Sequence, residues 1–224
     1  MSSSQQSWDL FYKDAGCVWG RKPDCILLKY ASLIPDGPIL DLGIGDGRNA
    51  IFLAMQGYNV YGVDISKLAV EKCLERTRQS GVKLTCKSGN VIDFKIKPNS
   101  QALIMSTMTL QFMKKSEATQ LISRIKKGIK PNGMVYLTVF SIDDPSYEKI
   151  KNRHKEIEPD TFYIEHMSSH LHFFNKHEIL TKFVDFQLLN FAESMEFDVV
   201  HQGTSKPHYH GILSYLGRKP SNSK

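Results

Sequence analysis

Three glycines at alternate positions, Gly43, Gly45 and Gly47, sit in the stretch DLGIGDGRN that begins at Asp41. Glycine at this density serves the backbone: it permits positive φ and lets the chain approach a ligand that a side chain would block. The apolar run PIL comes before the turn and NAIFLAMQG after it, so the glycines join a strand to a helix whose N-terminus can receive an anionic group. A phosphate-cradling loop would end in Gly-Lys-Ser/Thr, and that lysine is missing. The dinucleotide fingerprint G-x-G-x-x-G would need a third glycine at position 48, where Arg48 stands. Asp64 closes the run YGVD, about 20 residues past Gly43. A carboxylate there accepts hydrogen bonds from both hydroxyls of an adenosine ribose. Nicotinamide sites share this feature, so Asp64 alone does not choose between ligands. Asn90, in SGNVIDF, puts an amide at the expected adenine edge, where it can bond the exocyclic amine.

Histidines form the second reactive group. All eight lie late in the chain, between positions 154 and 210: His166, His170, His172, His201, His208 and His210 among them. HLH and HYH place two imidazoles on one face of a strand, a spacing compatible with two metal ligands. No Asp, Glu or Cys completes an evident set, so no metal is expected. The remaining roles are substrate orientation, anion binding and proton transfer. His201, just after FDVV, is the first catalytic candidate and His210 the second. The alternative for each is a solvated loop histidine.

The elements that must hold these groups alternate. PILDLG, NVYGVD, KLTCKS, ALIMST and MVYLTVF read as strands, with PNG (131–133) as a turn before the last. Between them lie helices: one from the glycine turn to Gly57, one from the N-cap Ser66 to about Ser80, and one from Ser116. The third places Ala118, Leu121, Ile122, Ile125 and Ile129 on one face. Repeated β-α-β units imply a parallel sheet covered on both faces. Residues 142–175 break the rhythm and read as an excursion from the sheet. After the helix NKHEILTKFVDF, QLLNFAESMEF and GILSYLGRK read as an antiparallel edge hairpin. The first seven and last five residues read as mobile ends.

Composition sets bounds on partners. The 224 residues are 41% apolar and 23% charged, ordinary for a globular chain. The net charge of +6 comes from 29 basic and 23 acidic residues. The lysines are scattered over helix faces, without the basic and aromatic interleaving of a nucleic-acid surface. No apolar run reaches the roughly 20 residues that span a bilayer, and MSSSQQSWDL lacks the pattern of a signal peptide. Cys17, Cys25, Cys73 and Cys86 contain no C-x-x-C pair and read as reduced thiols of a cytoplasmic protein.

The glycine turn, Asp64, Asn90 and KPNG together resemble the class I methyltransferases that use S-adenosylmethionine (SAM). FYKDAGCVWGRKP (11–23) resembles the segment that precedes the glycine motif in a branch of these enzymes, and DLGIGDGRNAIFLAMQGYNVYGVDIS and LIMSTMTLQFM are similar to the tellurite-resistance methyltransferases within that class. The likeness covers most of 11–141 and, more loosely, 176–219. It implies an α/β, Rossmann-like, mostly parallel seven-stranded sheet with helices on both faces and an antiparallel C-terminal hairpin. The chain reads as a single domain over 1–224, and the polar, irregular composition of 11–23 and 142–175 reads as a cover over the active site. The implied cofactor site comprises Tyr12, Trp19, Asp41, Gly43, Gly45, Arg48, Asp64, Ile65, Asn90, Val91 and Ser106. The implied acceptor is a small soft nucleophile: a thiol, or a chalcogen oxyanion such as tellurite or selenite. The chain departs from the pattern at Ile44 (usually Cys), at Asn90 (usually Asp) and at His210-Gly211, where an arginine is expected. Ser106-Thr107-Met108-Thr109 stands where amino-methylating nucleic-acid enzymes carry Asp/Asn-Pro-Pro-Tyr. A methyltransferase for tRNA or protein and a non-catalytic SAM-binding protein are the alternatives.

Overall fold

The computed structural model describes residues 3–13, 20–198 and 207–221. Seven strands form one sheet in the order β3-β2-β1-β4-β5-β10-β9. They are β1 (Ile39–Leu42), β2 (Val60–Asp64), β3 (Thr85–Ser88), β4 (Gln101–Thr107), β5 (Ile129–Phe140), β9 (Gln187–Asp198) and β10 (His208–Arg218). The first five run parallel, and β10 lies antiparallel between β5 and β9. This is the α/β sheet with a C-terminal edge hairpin that the alternating pattern predicts.

Side-chain alternation divides the core. Leu103 and Met105 on β4 pack with Leu53, Val60, Val70 and Cys73 on one face. Ile104 points the other way and joins Leu121, Ile122 and Ile125. The helices are α1 (Ser3–Lys13), α2 (Cys25–Tyr30), α3 (Arg48–Met55), α4 (Lys67–Gln79), α5 (Lys115–Gly128), α6 (Tyr147–Arg153) and α7 (Lys176–Lys182). The predicted face of α5 is buried throughout, but its last member, Ile129, opens β5 instead of ending the helix. Ser66 caps α4 as expected, its hydroxyl accepting the Ala69 amide at 3.0 Å. No described helix is long and apolar enough to cross a membrane.

Two local readings need correction, and the expected excursion at 142–175 gains detail. Pro131–Gly133 is not a separate turn: β5 already starts at Ile129, and Asn132 takes φ 62° where the pairing with β4 shifts. Ser3–Lys13 is helical rather than a loose end, because Asp9 and the aromatic residues of α1 find partners on α4 and on the turn after β4. Residues 142–175 hold α6 and a second, antiparallel sheet of β6 (Glu156–Glu158), β7 (Thr161–Ile164) and β8 (Ser169–His172). Phe162, Ile164, Leu171 and Phe173 form its own small core.

Candidate functional site

A cavity of about 330 Å³ opens at the carboxyl ends of β1, β2 and β4. The glycine turn forms its floor. Gly43, Gly45 and Gly47 all have positive φ, at 86°, 56° and 87°. At Gly43 there is a second reason for glycine: a Cβ would run into the Thr109 side chain. The turn is braced from behind by Arg76, which donates to the Asp46 carbonyl at 3.0 Å and pairs with the Asp46 carboxylate at 2.8 Å.

Asp64 lies where β2 meets the cavity. Its Oδ2 accepts the Gly45 amide at 2.8 Å and its Oδ1 the Ser66 amide at 2.9 Å. Burial pushes its pKa up to about 6, against the pull of those two amides. Asp41, on β1, is 2% exposed and also lines the cavity. Its Oδ1 has no hydrogen-bond partner. Burial first, and then the carboxylates of Asp64 and Asp24, hold its pKa well above the usual range. An unpartnered buried carboxylate oxygen facing a cavity suits a cationic or N–H-bearing group there.

Arg48 lines the cavity and pairs with Asp24. Asp24 also accepts from Asn49 Nδ2 at 3.2 Å and from the Tyr136 hydroxyl at 3.2 Å. The Asp24 amide in turn donates to Asn49 Oδ1 at 3.0 Å. Across the floor, Asn90 and Val91 form the next stretch of wall, and Asn90 Oδ1 accepts the Ile92 amide at 3.0 Å.

The roof is α1. Ser4, Trp8 and Tyr12, spaced four apart, put one helix face on the cavity. Trp8 stands edge-on to Phe112 at 4.7 Å. Asp9, one position on, accepts from the Ser66 hydroxyl at 2.7 Å and the Leu68 amide at 3.2 Å. Ser168, Ser169 and His170 supply the far wall. Ser169 donates to the Phe112 carbonyl at 3.1 Å, and burial lowers the His170 pKa.

Of the residues marked in the sequence, the cavity brings together Tyr12, Asp41, Gly43, Gly45, Arg48, Asp64, Ile65, Asn90 and Val91. Ser106 is not among them. It is fully buried and donates to the Leu42 carbonyl at 3.1 Å, while Thr107, Met108 and Thr109 reach the cavity in its place. Trp19 and His201 lie outside the described residues. Of the proposed cover, 11–23, only Tyr12 lines the cavity among the described residues, and in 142–175 only Ser168–His170 do.

The histidines separate. His172 is fully buried between the Thr161 hydroxyl at 2.9 Å, the Asp160 carbonyl at 3.1 Å and Glu178 at 3.3 Å, a joint between the small sheet and α7. His210 sits at the start of β10. Its Nδ1 is 3.0 Å from Asp144 Oδ2 and its Nε2 is 2.9 Å from His208 Nε2. No group of three or more metal-ligating side chains occurs among the described residues.

Sequence reasoning missed Asp24, Asp144 and Trp8. The spacing of Ser4, Trp8 and Tyr12 was a usable signal for the last. Nothing local to Asp24 or Asp144 announces their partners.

Residues 39–133 match a family model described as a methyltransferase domain. Over 109 residues the chain is 30% identical to the uncharacterized methyltransferase YodH of Bacillus subtilis, covering 49% of this chain and 46% of that one. The chain spans about half the length of the curated relatives it matches. A SAM-dependent methyltransferase from Methanosarcina mazei superposes with a TM-score of 0.72 at 21% identity, covering 90% of this chain and all (100%) of that one. TehB from Haemophilus influenzae superposes with a TM-score of 0.69 at 18% identity, covering 95% and 67%. These likenesses show the fold.

Proposed function

We propose that this chain is an SAM-dependent methyltransferase acting on a small, soft nucleophile, a thiol or a chalcogen oxyanion. One observation carries the cofactor reading: the glycine turn, Asp64 and the unpartnered Oδ1 of Asp41 face one cavity. These residues fit the group. Asp64, held by the Gly45 and Ser66 amides, is aimed to accept from ribose hydroxyls. Asp41 is placed for an ammonium, and Arg48 with the amides at the start of α3 for a carboxylate. Ile65, Asn90 and Val91 flank the adenine side. Bound SAM supplies an electrophilic methyl group on a sulfonium.

The rest of the chemistry falls to alignment and exclusion of water. Trp8, Tyr12 and Phe112 close the cavity from above, and Met108 and Thr109 border it after β4. Its volume, about 330 Å³, is near the small end of the range of about 300–1,000 Å³ for ligand sites. A cavity of that size favours a small acceptor. The unpaired thiols Cys25, Cys73 and Cys86 fit a cytoplasmic setting.

The test is calorimetry with S-adenosylhomocysteine, followed by a methyl-transfer screen over selenite, tellurite, hydrosulfide, small thiols and tRNA. Micromolar binding, about −8 kcal/mol, and turnover of a small acceptor are expected. Tight NAD binding ends the cofactor reading, and turnover of tRNA alone ends the small-acceptor reading.

A further inference from the structure

Asp24 stands at the N-cap of α2, where an aspartate ordinarily turns its carboxylate onto the amides of its own helix. Here it makes no side-chain cap bond. The carboxylate reaches away from α2 instead. Its Oδ1 accepts from Arg48 Nη2, and its Oδ2 accepts from Asn49 Nδ2 and from the Tyr136 hydroxyl, each at 3.2 Å. The Asp24 amide donates to Asn49 Oδ1 at 3.0 Å, so one residue grips both ends of the Asn49 side-chain amide. Asn49 Nδ2 also lies 3.4 Å from Thr107 Oγ1 at the end of β4. Tyr136, within β5, is buried. Burial first, and then Asp24, push its pKa up and keep it a donor. Asp24 does not line the cavity, whereas Arg48, Asn49 and Thr107 do. Among the described wall residues, Arg48 is the only Lys or Arg.

We propose that Asp24 is the positioning residue for the amino-acid end of the cofactor: held by Asn49 and Tyr136, it fixes the Arg48 guanidinium where the carboxylate of SAM would meet it. This deepens the methyltransferase reading and rests on it. A long side chain gives up rotamer freedom when it binds a ligand. A guanidinium already tied at one nitrogen has less to give up. It carries five N–H donors, so the bond to Asp24 does not exhaust it. The pairing reduces the effective charge of Arg48. Alignment outweighs that loss, because a charge-assisted bond from arginine to a carboxylate depends on its planar, forked geometry. Asp24 stays off the cavity wall and therefore acts through Arg48. It also adds, after burial and Asp64, to the raised pKa of Asp41. Removing Asp24 eases ionisation of Asp41, which by itself favours an ammonium. Any loss of ligand affinity on its removal thus comes from Arg48.

Calorimetry on the full chain with two ligands reads the assignment. S-adenosylhomocysteine carries the amino-acid end, and 5′-methylthioadenosine carries the same adenosine and thioether without it. Asp24→Ala should bind the first about tenfold more weakly, a coupling ordinary for side chains in contact, and the second as the wild type does. In an Arg48→Ala background, Asp24→Ala should lower S-adenosylhomocysteine affinity no further. Tyr136→Phe removes one of the donors that hold Asp24. It should show the same preference with a smaller loss, and it carries the test if Asp24→Ala does not fold. Equal losses on the two ligands, unchanged or tighter binding of S-adenosylhomocysteine, or a second full loss in the Arg48→Ala background overturns the assignment. Failure of the wild type to bind S-adenosylhomocysteine overturns the parent reading instead.

Discussion

The Asp64 carboxylate accepts the Gly45 amide at 2.8 Å, so the end of β2 is tied directly to the glycine turn after β1. The two elements that would hold the ribose and the methionyl part of one ligand thus move as a unit. Asp64→Ala should remove both the ribose acceptor and this tie. We expect S-adenosylhomocysteine to bind at least 10-fold more weakly, the roughly 1.5–3 kcal/mol of a hydrogen bond to a charged group. Calorimetry on the variant decides; unchanged affinity places the ribose elsewhere.

The elevated pKa of Asp64 gives the binding a pH dependence. With a folded-state value of about 6, set mainly by burial, the carboxylate is ionised at pH 7.5 and protonated at pH 5. The ionised form accepts from two ribose hydroxyls, and the protonated form loses an acceptor position. Affinity should be flat above pH 7 and fall below 6, approaching tenfold per pH unit for one linked proton. A pH titration of the Kd that stays flat from 7.5 to 5 rules this out.

Asp41 makes the opposite bargain. Its pKa is raised well above the unfolded value of 3.8, chiefly by burial. Above pH 3.8 the unfolded chain releases this proton while the folded chain retains it, so stability falls as pH rises from 3.8 through the folded pKa. Asp41→Asn removes that cost. The ligand-free variant should be more stable than wild type at pH 7, by about 1–3 kcal/mol, with the gain shrinking toward pH 4. It should also bind S-adenosylhomocysteine more weakly, having lost the group aimed at the ammonium. Denaturant melts at pH 4 and 7 measure the first effect. A less stable Asp41→Asn at pH 7 contradicts it.

Residues whose role is local were legible in the sequence. The glycines, Ser66 and the apolar face of α5 need only their neighbours to be read, and the β-α-β alternation predicts the main sheet. Contacts across long separations were not. Asp24 meets Arg48, Asn49 and Tyr136 across 24 to 112 residues, and Asp144 meets His210 across 66. No spacing rule links such partners. The small sheet escaped for a different reason. Its strands are three or four residues long, too short for an alternating pattern to emerge, and its buried His172 and Thr161 look polar until they are paired with each other. Ser106 was misplaced by one residue: on β4 successive side chains face opposite ways, so Thr107 reaches the cavity and Ser106 turns inward.

Asp9 offers the last test, because it joins the roof of the cavity to its electrostatics. Its Oδ1 accepts from Ser66 Oγ and the Leu68 amide, which fastens α1 to the first turn of α4 and keeps Ser4, Trp8 and Tyr12 over the site. Its charge also helps to raise the pKa of Asp64. Asp9→Ala should therefore act twice. The loss of the cap contact, about 1 kcal/mol, should speed amide exchange in residues 3–13 and in the first turn of α4, and weaken S-adenosylhomocysteine binding several-fold at pH 7.5. The loss of the charge should move the pH midpoint of binding below about 6, since Asp64 then ionises more easily. The two effects separate in one set of titrations: weaker binding on the plateau reports the roof, and the displaced midpoint reports the charge. Unchanged exchange in α1 together with an unmoved midpoint would show that α1 neither covers the site nor tunes it.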